Sequence, residues 1–145
     1  LKSRSRRLVE TGGDAATALA FAASGSLAVG HRGGTITVLD PDGESKPYSI
    51  AAVTDTIRAL AWTRAGTRLI VAAADRTVRV FDPVTGTELL NLGDSSFPGE
   101  PTTSPIEGTP TGLAVDRDDA RIACGFDCGG VRTWDSRTWA ERLPR

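Results

Sequence analysis

Short segments in which small and large apolar residues alternate recur along the chain, each followed by a turn and then an almost uniformly apolar run. The alternating segments lie at 18–21, 59–62 and 112–115, and the apolar runs lie at 27–30, 69–73 and 122–125. A period of two is typical of a β-strand, and a uniformly apolar run is typical of a strand covered on both faces. The pattern therefore predicts repeated pairs of inner strands in an all-β fold.

The apolar runs begin three longer phrases, 27–40, 69–82 and 122–135, which align without a gap. Each phrase ends in an aspartate, at positions 40, 82 and 135. Four-stranded propeller blades repeat every roughly 40–45 residues. The spacing between the first two aspartates fits this period, and the spacing between the second and the third is longer by about one loop. An internal repeat of this length predicts stacked four-stranded units.

The remaining strands complete each unit. Third strands are predicted at 35–39, 77–81 and 131–134, and more polar outer strands at 48–50, 88–92 and 139–143. The predicted fold is three four-stranded antiparallel blades that are part of a larger propeller. The boundaries are 1–13 for a basic leader with an outer strand (6–10) of a neighbouring blade, 14–53 for blade 1, 54–93 for blade 2, 94–109 for a proline-rich loop, and 110–145 for blade 3.

The closing residues of the phrases resemble the WD40 repeat, whose blades end in a Trp-Asp pair. Trp134-Asp135 matches fully, while Phe81-Asp82 and Leu39-Asp40 keep the aspartate after a large apolar residue. Residues 77–82 are similar to the third strand of the family, and the resemblance covers roughly residues 14–143. It implies WD40-type propeller blades.

The sequence departs from the family in two respects. No repeat carries Gly-His before its inner strand, and the aspartate of the tight turn is matched by Asp75 but replaced by Gly33 and Cys128 elsewhere. We therefore expect an incomplete Asp–His–Ser/Thr hydrogen-bond network. Propellers close with 4–8 blades, so three blades would leave two open apolar faces. A larger propeller is favoured, and the alternative is a ring of two copies that associate through these open faces.

Composition narrows the classes of partner. The net charge is −1 and 24% of the residues are charged, so no broad field of one sign favours nucleic acid or a membrane surface. The two cysteines do not make a disulfide scaffold, and we expect an intracellular, cytoplasmic location. The chain starts at Leu1 and has no Met, which suggests an excised domain or fragment.

One rim of a WD40 propeller carries the outer-to-inner connections and the turns between second and third strands. The resemblance implies that this rim contacts a protein partner, because loops on a rigid scaffold concentrate function. The candidate partner-binding residues are Thr17, His31, Arg32, Arg58, Asp75, Arg76, Phe97, Thr111 and Asp127. The recurring residues Asp40, Asp82, Trp134 and Asp135 are interpreted as structural.

No catalytic, cofactor-binding or metal-binding site is predicted. His31 is the only histidine, and the Cys124–Cys128 pair alone cannot close a tetrahedral zinc site. The favoured function is a non-catalytic scaffold for protein–protein interaction. The alternative is an accessory or sensor propeller of a larger enzyme of the kinase or NTPase type, and a third hypothesis is a propeller enzyme acting at its channel.

Overall fold

The computed structural model describes residues 8, 10–11, 14–41, 43, 46–92, 108–138 and the backbone of 141–142. All strands in these ranges belong to three four-stranded antiparallel sheets, in each of which neighbours in sequence are neighbours in space. The first sheet contains β1 (Ala16–Phe21), β2 (Leu27–His31), β3 (Thr35–Leu39) and β4 (Tyr48–Ala51). The second contains β5 (Ile57–Trp62), β6 (Leu69–Ala73), β7 (Val78–Phe81) and β8 (Glu88–Asn91). The third contains β9 (Pro110–Val115), β10 (Arg121–Phe126), β11 (Val131–Asp135) and β12 (Glu141–Arg142).

The predicted fold class is confirmed, and we call the three sheets blades 1, 2 and 3 in chain order. The predicted loop at 94–109 lies outside the described residues except for Gly108 and Thr109. The predicted strand at 6–10 also lies outside them, apart from Leu8 and Glu10, which are not in a strand. Among the described residues, none forms a helix with the length and apolar content needed to cross a bilayer.

The turn between the first and second strand of each blade has the same geometry. Its fourth residue has a positive φ and donates its N–H to the first residue of the turn. That fourth residue is Gly25 in blade 1, Gly66 in blade 2 and Asp119 in blade 3, with φ of 96°, 73° and 54°. Glycine adopts this conformation without the steric cost that a side chain incurs. Asp119 therefore stands where the repeat favours glycine.

The turn between the second and third strands also repeats. Its positive-φ residue is Gly34, Arg76 and Gly129 in the three blades, with φ of 93°, 68° and 90°. In each blade this residue donates its N–H to the carbonyl three positions earlier, at 3.0–3.1 Å. A side chain is thus present at the left-handed position in blade 2 alone among the three turns.

Two apolar clusters hold the blades together. Strand β5 contacts both β1 and β9, so the inner strands lie side by side in the order β1, β5, β9. The cluster between blades 1 and 2 contains Ala28, Ile36, Val38, Ile50, Ile57, Leu60, Leu69, Val71 and Phe81. The cluster between blades 2 and 3 contains Ala59, Ile70, Ala72, Val78, Val80, Leu92, Ile122, Cys124, Phe126 and Trp134. Face-to-face stacking of sheets thus buries most of the large apolar side chains.

Blades 1 and 3 each keep one face that no described blade covers. On blade 1, Leu19 is 64% exposed and Phe21 is 68% exposed. On blade 3, Val131 is 65% exposed. In the part of the chain that is described, the three blades therefore form an open arc, as expected from the sequence.

Candidate functional site

One end of the arc is built by the turns between second and third strands, which lie against the starts of the inner strands. The N–H groups of Arg32, Ala74 and Asp127 donate to the carbonyls of Ala15, Thr56 and Thr109 at 3.0, 2.8 and 3.0 Å. These are equivalent positions in the three repeats. We call this end, formed by 14–17 with 31–35, 55–58 with 73–77, and 108–111 with 126–130, the rim.

Three of the candidate residues lie where the strand pairing is interrupted, at the same position in each of the three inner strands. The pairing register of each inner strand shifts at Thr17, at Arg58 and at Thr111, so that each of them stands outside the ladder. An extra residue of this kind is a β-bulge, which turns its side chain out of the regular alternation. Because β1, β5 and β9 are adjacent, the rim presents a row of three bulge residues along the inner edge of the arc.

The bulge side chains differ in how they are held. The hydroxyl of Thr17 donates to the carbonyl of Ile57 at 2.6 Å, which ties blade 1 to blade 2. The hydroxyl of Thr111 donates to the carbonyl of Gly125 within its own blade, at 3.2 Å. Arg58 is exposed. Thr17 therefore has a role in joining blades, whereas the Arg58 side chain points into solvent.

The turns add charged side chains to the rim. Arg32, Arg76 and Asp127 are exposed, and a carboxylate oxygen of Asp127 accepts the N–H of Thr109 at 2.8 Å. Within the described part of the chain, the guanidinium groups of Arg32, Arg58 and Arg76 make no ion pair or hydrogen bond with protein atoms. Their donors are therefore available to a ligand.

Asp75 belongs to a network along blade 2. One carboxylate oxygen accepts the N–H and the hydroxyl of Thr77 at 3.0 and 2.5 Å, and the other lies 3.6 Å from Arg79. Arg79 also donates to the hydroxyl oxygen of Thr77 at 3.1 Å and to Glu88 at 2.7 Å. Partly exposed ion pairs contribute little to stability, so the network chiefly fixes the orientation of the Asp75 carboxylate.

The placement of His31 does not support its prediction as a partner-binding residue of the rim. His31 ends strand β2 and is fully buried. Its Nδ1 lies 2.7 Å from the carbonyl oxygen of Asp14, and its Nε2 lies 3.0 Å from the hydroxyl of Thr37. A carbonyl oxygen can only accept, so Nδ1 donates to it. Both ring nitrogens are therefore bonded inside the blade.

The two cysteines lie in different environments. Cys124 is buried, and burial raises the pKa of its thiol to about 12, whereas Cys128 is exposed in the turn at the rim. Among the described residues, no three His, Cys, Asp or Glu side chains come together to hold a metal ion. Phe97, the remaining partner-binding candidate, lies outside the described residues.

The recurring residues at the ends of the third strands lie at the opposite end of the arc. A carboxylate oxygen of Asp82 accepts the N–H of Val84 at 2.9 Å, and one of Asp135 accepts that of Arg137 at 2.8 Å. In blade 1 the backbone carbonyl of Asp40 accepts the N–H of Gly43 at 2.9 Å. Trp134 is buried between blades 2 and 3.

Sequence reasoning missed two features at this opposite end. The first is Asp119, whose carboxylate oxygens accept the N–H groups of Arg64 and Ala65 at 2.6 and 3.0 Å and so join blade 3 to blade 2. The signal was an aspartate aligned with Gly25 and Gly66. A non-glycine residue at a position that requires positive φ is worth testing for a contact that compensates its strain.

The second is a groove of about 380 Å³ between blades 1 and 2. Tyr48 donates its hydroxyl to the carbonyl of Pro83 at 2.7 Å, and the Trp62 indole N–H donates to the carbonyl of Ala20 at 3.0 Å. Burial raises the pKa of Tyr48, and the charge of Asp82 raises it further. Both aromatic polar groups are therefore already bonded, and the groove is also lined by the polar residues Ser24, Asp40 and Lys46.

Comparison with known proteins bears on the middle of the chain. The family described as WD domain, G-beta repeat matches residues 46–82. The match begins just before β4 and ends at the aspartate after β7, so it takes the outer strand of one blade with the first three strands of the next. No curated protein matches the chain. The resemblance seen in the sequence is confirmed for residues 46–82, which match the WD40 repeat, and the three antiparallel sheets are consistent with WD40 blades.

Proposed function

We propose that this chain is a non-catalytic scaffold for protein–protein interaction and that the rim is its binding face. The WD40 repeat supports a role in protein interaction in general. The observation that carries the proposal is the row of bulges, which brings Thr17, Arg58 and Thr111 to equivalent places on three adjacent strands. A repeated departure from regular pairing at one end of a sheet is the way such a scaffold presents side chains.

The chemistry of the rim suits a polar protein surface. Arg32, Arg58 and Arg76 each offer a planar set of donors that no described residue uses. Arginine makes bidentate hydrogen bonds to carboxylates and to backbone carbonyls, and it is enriched among residues that dominate binding energy. The backbone N–H groups of Arg32 and Arg76 are bonded to the carbonyls of Ala15 and Ala73, and Arg58 lies between two paired residues of β5, so little backbone entropy would be lost on binding.

Site-specific photocrosslinking tests the proposal. A photoreactive amino acid placed at position 58 or position 111 should capture a partner protein from extracts of the source cells. The same amino acid at Arg117, which is exposed at the opposite end, provides the control. Equal capture from positions 58 and 117 would remove the rim from the proposal.

A charge-reversal variant gives an independent measurement on any captured partner. Arg32→Glu, Arg58→Glu and Arg76→Glu combined should weaken its binding by about a hundredfold. The control reverses two exposed arginines at the other end, Arg117 and Arg137. The control should bind as the unmodified chain does, and both variants should keep the far-ultraviolet circular dichroism of the unmodified chain.

A further inference from the structure

The uncovered face of blade 1 is apolar and grooved. Leu19 and Phe21 are exposed on it, beside a groove of about 360 Å³ whose lining includes Leu27, Val29 and Leu39. Contiguous apolar patches of this kind on soluble proteins usually mark an interaction surface. The equivalent faces of blades 2 and 3 indicate which kind of surface would cover the face of blade 1.

Equivalent residues in the other blades are always covered by the preceding blade. Leu19 aligns with Leu60, which packs in the cluster between blades 1 and 2, and with Leu113, which packs against the cluster between blades 2 and 3. Phe21 aligns in the same way with Trp62 and Val115, which also pack against those two clusters. The blade 1 face therefore has the form of a surface that receives another blade.

Within the chain, the face of blade 1 that covers blade 2 is lined by small residues near the inner strands. On blade 1 it includes Ala18, Ala28 and Gly30, and a Cβ added at Gly30 would lie 2.5 Å from Ile57 of blade 2. Close approach of the blades thus requires the absence of a side chain at that position. The surface also carries the branched residues Ile36 and Val38, which pack against blade 2 further from the inner strands.

The uncovered face of blade 3 resembles this surface, with Thr133 in place of Val38. Gly112, Ala123 and Gly125 align with Ala18, Ala28 and Gly30, and Val131 aligns with Ile36. A Cβ added at Gly112 would meet no atom within 4 Å, and one at Gly125 would meet only the Thr111 hydroxyl at 3.7 Å. The chain therefore carries both halves of a blade-to-blade interface, and no described blade covers either of them.

We propose that the uncovered face of blade 1 binds the uncovered face of blade 3 of a second copy of this chain. The contact joins two different surfaces, so it is heterologous, and such contacts form closed rings when the rotation between copies permits. The described blades of two copies number six, within the range of 4–8 at which propellers close. The docking does not depend on the proposed binding role of the rim.

Sedimentation equilibrium over a concentration series tests the proposal. The expected mass is twice the 15.2 kDa of one chain, with reversible dissociation on dilution. Phe21→Glu and Val131→Arg, at residues 68% and 65% exposed in the single chain, should each raise the dissociation constant by about a hundredfold. Val84→Glu is the matched control, because Val84 is 86% exposed in the turn between β7 and β8, and it should leave the mass unchanged.

Mixing the two interface variants distinguishes a head-to-tail contact from pairing of like faces. In a closed pair of Phe21→Glu with Val131→Arg, one interface is unmodified and the other carries both substitutions, so dimers held by the unmodified interface should reappear. A mass of one chain at all concentrations would overturn the proposal. Disruption by Phe21→Glu with none by Val131→Arg would also overturn it, since blade 1 would then pair with itself.

Discussion

The carboxylate of Asp119 in blade 3 accepts the backbone N–H of Arg64 in blade 2 at 2.6 Å, and its second oxygen accepts the N–H of Ala65 at 3.0 Å. Asp119 has a φ of 54°, at a place where blades 1 and 2 have glycine. The strain of a side chain in this conformation is thus offset by two charge-assisted hydrogen bonds to the neighbouring blade. Ser136 adds a hydrogen bond from its hydroxyl to the Asp119 carbonyl.

Replacing Asp119 should therefore loosen the junction between blades 2 and 3. Asp119→Ala removes both acceptors while leaving the left-handed backbone, and we expect a loss of about 1–2 kcal/mol in the free energy of unfolding. Urea denaturation followed by tryptophan fluorescence measures this loss. Asp118→Ala is the matched control, because Asp118 is the exposed neighbour in the same turn. Equal losses from the two variants would contradict the assignment.

Two glycines with nearly the same φ allow the cost of backbone strain to be measured separately from the cost of a steric clash. Gly25 and Gly34 have φ of 96° and 93°, but a Cβ would meet nothing within 4 Å at Gly25 and would lie 2.1 Å from the Val53 carbonyl oxygen at Gly34. Gly25→Ala should cost about 1 kcal/mol of stability, from φ alone. Gly34→Ala should cost about 2–4 kcal/mol, because the backbone around Val53 must also move. Thermal unfolding of the two variants should rank them in this order, and equal costs would show that the contact relaxes freely.

The two thiols should differ in reactivity. Cys128 is exposed, whereas Cys124 is buried with a thiol pKa raised to about 12, so its reactive thiolate is scarce at neutral pH. Titration of the folded chain with a thiol-specific disulfide reagent should show fast reaction of Cys128 alone, and Cys124 should react after denaturation. Cys128→Ser should abolish the fast phase. Fast reaction of both thiols in the folded chain would contradict the burial of Cys124.

Stability should also depend on the charge of Asp116. The backbone N–H of Ala120 donates to its carboxylate at 2.9 Å and lowers its pKa, and Arg121 at 3.1 Å lowers it further. A lowered folded-state pKa means that the stabilising contribution is present above the unfolded value of about 3.9 and is lost as the pH falls through the folded value.

The stability difference between the unmodified chain and Asp116→Ala should therefore be larger at about pH 7 than at about pH 3. Urea denaturation at the two pH values measures it. Thr67→Ala, which changes an exposed neutral residue in the equivalent turn of blade 2, is the control, and its effect should not vary with pH. A constant difference for Asp116→Ala would show that its hydrogen bonds do not favour the ionised form.

The strands could be predicted because apolar periodicity reports directly on burial. The predicted inner strands nevertheless begin two residues late, at 18, 59 and 112, where the structure begins them at Ala16, Ile57 and Pro110. The reason is the bulge at Thr17, Arg58 and Thr111, which interrupts the period of two. The alternation begins only after the bulge, so the sequence pattern does not identify the bulge residues at the rim as part of a strand.

Hydrophobic periodicity could not predict the contacts between blades. The bond from Thr17 to Ile57 and that from Arg64 to Asp119 join residues far apart in the chain, and each depends on the stacking angle of two sheets. The burial of His31 was missed for a related reason. From the sequence alone, a histidine at the end of a strand is assigned to the following turn. Its burial becomes clear only when the carbonyl of Asp14 and the hydroxyl of Thr37 are known to bond its ring nitrogens.

The burial of His31 implies a role in the stability of blade 1. Removing the ring in His31→Ala should cost about 2–4 kcal/mol, from the lost packing and the partners left unbonded. Thr37→Val removes the hydroxyl that bonds Nε2, and a double-mutant cycle should give a coupling of about 0.5–3 kcal/mol.

His31→Phe is the informative companion, because the aligned residue of blade 3 is Phe126, which is only 6% exposed. It should recover part of the packing while losing both hydrogen bonds, so its stability should fall between those of the unmodified chain and His31→Ala. Partner capture by a photoreactive residue at position 58 should persist in His31→Phe at temperatures where the variant is folded. Loss of capture with the fold intact would instead return His31 to the binding face and contradict its placement inside blade 1.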